Sequence, residues 1–306
     1  MREVQAEPLS PIDAATLWPQ MHRLATEVIA TRAGENLLVR SGLAAMGLTR
    51  LPRVPRTIVL GLKQRLGYRG VLVVRELAGG AGWEAVSLRL LREKDDEAIE
   101  ALLSAAGEEV GRRGGRTIYL RYPEGSTHRE AIRKAGLVPY RHERLLAVPP
   151  SDRPAETLFR PARRRDRHDV FRLYCRVVPE HIRRQEAPTQ QDWRAVLDSY
   201  DCEREFVFER DGVVAGWAGF GDRDSYVMAE PGIEGLAEAT LNLVETHGPR
   251  HGTLVLGEHQ TPIETLAIER GYVPLGVRLL CARRLALLNP LKEVVAVPAG
   301  SAPLPQ

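Results

Sequence analysis

The sequence predicts an α+β protein built from two successive units with the same order of elements. Three observations predict it. The chain has 306 residues, and single hydrophobic cores stop growing at about 250–300 residues. The text around Gly136, "TIYLRYPEGSTHREAIRKAGLVPY" (117–140), returns around Gly271 as "TLVLGEHQTPIETLAIERGYVPL" (253–275), one residue shorter. Within both copies, short β-branched runs alternate with stretches of helical periodicity.

In the first unit a helix is expected from Ser10, with Pro11 at its first position. Leu17, Met21, Leu24 and Val28 share one face, and Pro19 is placed to kink it. "LKQRLGYRGVLVV" (62–74) reads as a loose hairpin and "WEAVSLRLL" (83–91) as a strand. Ile99, Leu102, Leu103, Ala106 and Val110 keep helical spacing. Thr117 to Leu120 then reads as a buried strand, and Thr127-x-x-Glu130 as a capping box that starts a short helix. Gly136 closes that helix in the left-handed region, Pro139 follows, and "RHERLLAV" is a further strand.

The second unit repeats this order. A helix is expected from Asp166 or Asp169, and another from Thr189 with its cap-like Thr-x-x-Asp192. "ERDGVVAGW" (209–217) carries Asp211-Gly212 between apolar runs, the strongest short hairpin signal. "DSYVMAE" (224–230) is strand-like, and Ile233, Leu236, Ala237, Leu241 and Val244 are helically spaced. The strand Thr253 to Leu256 precedes a second capping box, Thr261-x-x-Glu264, with Pro262 at the first helical position. Gly271, Pro274 and the strand "GVRLLCARR" complete it. The proline-rich "VPPSDRPAET" (148–157) marks the boundary. The expected division is 1–149, 157–289 and a disordered tail, 290–306. Each unit is expected to hold a mixed, mostly antiparallel sheet with helices on both faces, and the two sheets to join along a shared edge as an internal pseudo-dimer.

Composition excludes several classes. No apolar run approaches the ~20 residues of a membrane helix, and the first twenty residues lack an apolar signal core. Cys175, Cys202 and Cys281 are scattered and odd in number, which points to free thiols and a cytoplasmic location. The halves 1–150 and 151–306 carry +6 and −3, within a net +3. That balance is too weak for a nucleic-acid binder, and the basic "RPARRRDRHD" (160–169) reads as a solvated strand-to-helix corner. Membrane partners are likewise not expected. His247 and His251 are separated by Gly248 and Pro249, which break any helix, so no metal is expected. Trp83 and Trp217 are placed in the core.

The order of elements, with a short helix ending in "Gly-aromatic-x-x", resembles the GNAT superfamily of acyl-CoA-dependent N-acyltransferases over nearly the whole chain. The resemblance implies two tandem GNAT-like domains and acetyl-CoA or another acyl-CoA as cosubstrate. It implies that the strand before the central helix splays from its neighbour so that pantetheine pairs with its backbone. The pyrophosphate then rests on the N–H groups that open the helix, in a stretch written (Gln/Arg)-x-x-Gly-x-(Gly/Ala). The matching stretch is "AEPGIEGLAEATL" (229–241), where Glu234 replaces the basic or amide residue. The implied cofactor-binding positions are Val227, Met228, Ala229, Gly235, Ala237 and Ala239. Glu258 and His259, at the end of "TLVLG", are the candidate bases for a small-molecule amine. The tyrosine that often protonates the leaving thiolate is replaced by Ile132 and Ala267.

Acidic residues crowd both expected helix starts: Asp95, Asp96 and Glu97 in the first unit, and Glu230, Glu234 and Glu238 in the second. A helix N-terminus attracts a phosphate by about 0.3–1 kcal/mol. A carboxylate ~4 Å from that phosphate opposes it by about 1 kcal/mol in water and about 4 at an effective dielectric of 20. These acids are either ordinary first-turn residues or anions that the chain supplies to its own helix ends. Two functions follow: an N-acetyltransferase-like enzyme acting on an unidentified amine, or a pseudoenzyme scaffold that binds a small ligand or partner without CoA.

Overall fold

One thirteen-stranded sheet runs through both units. A computed structural model describes residues 6–10, 13, 17, 24, 26–30, 56–64, 67–151 and 158–285. The expected Pro19 kink, most of the 148–157 linker and the 290–306 tail lie outside the described residues. The strands are β1 (Glu7–Pro8), β2 (Thr26–Ala30), β3 (Thr57–Gln64), β4 (Gly67–Glu76), β5 (Gly82–Leu90), β6 (Thr117–Pro123) and β7 (Val138–Ala147). They continue as β8 (Arg160–Pro161), β9 (Arg204–Arg210), β10 (Val213–Phe220), β11 (Asp224–Ala229), β12 (Thr253–Gly257) and β13 (Val273–Arg284). The helices are α1 (Asp96–Arg112), α2 (Arg129–Lys134), α3 (Arg167–Val177), α4 (Glu180–Glu186), α5 (Gln190–Ser199), α6 (Leu236–His247) and α7 (Thr261–Glu269).

In each unit an antiparallel meander, β3-β4-β5 or β9-β10-β11, is followed by a parallel partner, β6 or β12. The two units then exchange their last strands. β13 pairs with β6 of the first unit, β7 pairs with β12 of the second, and β7 and β13 lie antiparallel to each other between them. Their register has pseudo-two-fold symmetry: Val138 faces Ala282, Ala147 faces Val273, and Glu143 faces Arg278. Glu143 and Arg278 occupy equivalent positions of the repeat, so the pseudo-axis passes through this pair.

The exchange also divides the cores. Leu279 and Cys281 of β13 pack in the core under α1 and α2, while Leu146 of β7 packs in the core under α6 and α7. A third cluster, under α3, α4 and α5 on the other face, collects Tyr174, Trp193, Trp217 and Tyr226. Trp83 and Trp217 are buried as expected. The helical stripe Ile99, Leu102, Leu103, Ala106, Val110 faces the core. The Asp211-Gly212 hairpin forms with both residues at positive φ. Thr189 caps α5 by accepting from the Asp192 amide at 3.2 Å.

Three local expectations are corrected. The capping boxes at Thr127 and Thr261 do not form. His128 is the N-cap of α2, and the Glu130 carboxylate takes two hydrogen bonds from Arg133 instead. Thr261 is already inside α7, whose N-cap is Gln260, and Glu264 pairs with Arg144. In both cases an arginine offers the carboxylate a charge-assisted bond stronger than the neutral one of a capping box. Val28 lies in strand β2 rather than on the first helix; Asp13 and Leu17 are helical, and Ser10 and Asp13 bond reciprocally at the helix start.

Candidate active site

β11 and β12 pair in parallel only from Asp224↔Thr253 to Tyr226↔Val255, and then separate. Val227, Met228 and Ala229 therefore line the edge that the resemblance expects to splay, with their side chains packed in the cores on either face. The chain continues through Glu230 to Gly235, which caps α6 at φ 73°. No side chain caps that helix, and nothing lies within 4 Å of where a Gly235 Cβ would sit. The Leu236 N–H already bonds to the Ile233 carbonyl at 3.3 Å, which leaves the Ala237 and Glu238 N–H groups of the first turn for an approach beside the splayed strand. Ala237 is half-buried, whereas Ala239 is inside the core, so its role is packing. Glu230 is neutralised by Arg176, which binds its carboxylate from Nε at 3.2 Å and from Nη2 at 2.9 Å. Glu234 remains exposed.

Two backbone groups in this opening already have a partner. The buried Gln260 side chain accepts from the Ala229 N–H at 3.1 Å and donates to the Ala229 carbonyl at 3.4 Å. One amide group thereby satisfies both the N–H and the C=O that Ala229 presents on this edge, as a paired strand would.

The first unit holds the same two features, both closed. β5 and β6 pair only from Gly82↔Thr117 to Ala85↔Leu120, and beyond that point β2 pairs with β5 from Ala30↔Ser87 to Thr26↔Leu90. The chain fills its own splay. At the α1 N-terminus, Asp95 caps the helix by accepting from Ala98 N at 3.2 Å. Arg69 grips Asp95 with two hydrogen bonds of 2.5 Å and reaches Glu97 at 2.6 Å. Here the chain supplies the anion to its own helix end.

The two expected bases part company. Glu258 is half-exposed; it holds His142 Nδ1 at 3.1 Å and donates its backbone N–H to the His142 carbonyl. His142 belongs to the exchanged strand β7, so this contact joins the units. His259 lies over Gly257 close to Arg141, and its Nδ1 has no hydrogen-bond partner. Burial pushes its pKa down from 6.5 to about 3, with the Arg141 charge adding to the effect. A neutral imidazole of that pKa is a poor proton acceptor at neutral pH. Ile132 and Ala267, at the tyrosine positions, are fully buried in the two cores.

Sequence reasoning missed the charged seam between the units. Glu143 is fully buried, and Arg278 donates to it at 3.0 and 2.8 Å; Arg121 and Arg141 lie 3.8 and 3.9 Å away. Burial alone would raise the pKa of Glu143, but the three arginines outweigh it and hold the carboxyl below its usual value. Glu84 pairs with Arg75 and Arg121. Glu186 takes hydrogen bonds from Arg141 and from the Tyr174 hydroxyl. Arg75 donates to the Asp198 carbonyl and Arg121 to Ser199 Oγ, tying the end of α5 to the first unit. The sign available in the sequence was the arginine and glutamate inside the expected strands "RHERLLAV" and "GVRLLCARR". Among the described residues no group of His, Cys, Asp and Glu is arranged to hold a metal, and no helix is long and apolar enough to cross a membrane. The three cysteines are free.

No protein-family model matches the sequence, and no curated protein matches it. Solved structures do. A tandem GNAT protein from the clavulanic acid biosynthesis pathway is 15% identical and superposes with a TM-score of 0.50, over 92% of this chain and 98% of that one. A GCN5-related N-acetyltransferase from Sphaerobacter thermophilus is 12% identical, with a TM-score of 0.51 over 91% and 95%. A Drosophila protein gives 13% and 0.51 over 93% and 99%. The chain has the tandem GNAT fold, α+β in class.

Proposed function

We propose, from the tandem GNAT fold as premise, that this chain is an acyl-CoA-dependent N-acyltransferase in which only the second unit takes the thioester. The observation that carries the reading is a contrast. The parallel pair β11/β12 separates beside a helix N-terminus without a side-chain cap, while β2, Asp95 and Arg69 close both features in the first unit. The residues of the second unit fit the group: the 227–229 edge for the pantetheine amides and the α6 amides behind Gly235 for the pyrophosphate. When bound, the thioester supplies an electrophilic acyl carbon. Gln260 yields the Ala229 backbone to an amide of the same hydrogen-bonding pattern as its own. Glu258, held by His142, accepts the proton of the attacking amine; His259 keeps its imidazole neutral and apart.

Calorimetric titration with acetyl-CoA tests this, with an expected stoichiometry of one per chain. Gly235→Glu is expected to abolish binding, and Glu234→Arg to strengthen it several-fold by replacing repulsion with attraction. Two acetyl-CoA molecules per chain, or an unchanged affinity in a folded Gly235→Glu protein, would overturn the assignment.

A second reading has its own support. Gln260 already pairs with Ala229, the tyrosine positions are apolar, and the exposed Glu234 immediately precedes the Gly235 cap of α6. On that reading the chain is a scaffold without catalysis, and acetyl-CoA at millimolar concentration leaves the melting temperature unchanged.

A further inference from the structure

We infer that the cleft between the two units binds a small organic anion, a carboxylate or phosphate monoester with an apolar body. A cavity of about 360 Å³ opens where β5, β6 and the end of β13 meet helices α4 and α5. Its volume is that of a small-ligand site. It is separate from the 227–235 opening, with β13, β7 and β12 between them in the sheet.

The lining decides the chemistry. Arg116 and Arg284 stand at the cavity; Arg116 has no acid partner among the described residues, and Arg284 donates to the Arg184 carbonyl at 2.5 Å. The side-chain amides of Gln185 and Gln191 line the same space and have no hydrogen-bond partner among the described residues. The acids nearby are already engaged. Asp192 accepts from Thr189 Oγ1 at 2.6 Å, and the buried Glu186 carboxylate turns inward to Arg141 and Tyr174. Among the described residues the charges at the cavity without an ion-pair partner include the Arg116 and Arg284 guanidiniums, whose geometry suits carboxylate or phosphate oxygens, and the two amides can add N–H donors. Ala81, Ala195 and Pro188 supply apolar wall, which an inorganic ion would leave unused.

A second observation points inward from the same place. A space of about 10 Å³, bounded by Tyr119, Arg121, Tyr140 and Glu186, adjoins the cavity and shares Tyr119, Glu186 and Ala195 with it. That is the size of one water. Arg121, more than nine-tenths buried, has an Nε with no hydrogen-bond partner. The cleft thus leads to one donor without a hydrogen-bond partner, on a guanidinium whose charge is paired with Glu84 and Glu143. A ligand here bridges the first unit's β5–β6 floor and the second unit's α4–α5 wall.

The test is calorimetric titration of the whole chain, without acetyl-CoA, using phenyl phosphate, benzoate and inorganic phosphate as separate probes. Phenyl phosphate or benzoate is expected to bind more tightly than inorganic phosphate. The double variant Arg116→Ser/Arg284→Ser should weaken binding at least about tenfold. Gln191→Glu, a surface change that leaves the fold intact, should weaken it about fivefold by adding a negative charge. No binding of either organic probe at 10 mM (roughly −2.7 kcal/mol) overturns the proposal, as does equal binding of inorganic phosphate. Unchanged affinity in Gln191→Glu overturns it too. None of these outcomes depends on whether the second unit accepts acetyl-CoA, so the two assignments stand or fall separately.

Discussion

Gln260 shows how one side chain can take the place of a missing strand. Its amide satisfies an N–H and a C=O on Ala229 that would otherwise be buried without partners. Gln260→Ala is expected to cost about 1–3 kcal/mol in urea unfolding, because both backbone groups lose their partner. If the opening accepts pantetheine, the same variant should bind acetyl-CoA more tightly, since nothing then competes for Ala229. His259 gives a pH signature. Its folded pKa, about 3, lies below the unfolded value, so between pH 3 and 6.5 the unfolded chain binds more protons. Stability therefore rises with pH across that window and is fully present above it. Melting temperatures from pH 4 to 7 should show a shallower slope in His259→Asn than in the parent chain. An identical slope in both would mean that the ring titrates normally.

Helix starts set the two units apart at the next scale. α1 and α6 are equivalent helices with opposite provisions: Asp95 and Arg69 close the first, whereas Gly235 leaves the second bare. An aspartate N-cap is worth about 1 kcal/mol, and losing it here also strips Arg69 of its bidentate partner. Asp95→Ala is expected to destabilise the chain by about 2 kcal/mol in chemical denaturation. It should not create a second acetyl-CoA site, because β2 still occupies the edge of β5. The acidic run at 95–97 was visible in the sequence, and so was the short helix ending at a positive-φ glycine. The strand that fills the first splay was not: residues around Val28 keep helical spacing, and pairing with β5 overrides that local pattern.

Across the whole molecule, the exchange of β7 and β13 makes each unit depend on the other for the last strand of its sheet and part of its core. Fragments 1–149 and 157–306 are expected to be insoluble or unfolded when expressed singly and to form a folded pair when co-expressed, read by gel filtration and circular dichroism. Two separately folded fragments would contradict the exchange. At the pseudo-axis, a symmetric homodimer would set like charges against each other. Duplication within one chain allows Glu143 to face Arg278. Removing one member of a buried pair usually costs about 3–5 kcal/mol, so Glu143→Ala should destabilise strongly. The double exchange Glu143→Arg/Arg278→Glu should recover part of the loss. As the folded pKa of Glu143 is lowered, its contribution is present above the unfolded value and is lost as pH falls.

The amino-acid text alone determined the repeat, the order of its elements, the Asp211-Gly212 hairpin, the Thr189 cap and the helical stripe through Leu236, Leu241 and Val244 in the second unit, because each depends on backbone preference and on periodicity within a short window. The three-dimensional arrangement alone decided the rest. Which unit lends β13 to β6, which opening β2 and Gln260 close, and how the arginines of the seam find their carboxylates are matters of pairing between residues up to 167 positions apart, as Arg284 and Thr117 are. Such pairings leave no local pattern, since a strand reads the same whichever neighbour it bonds.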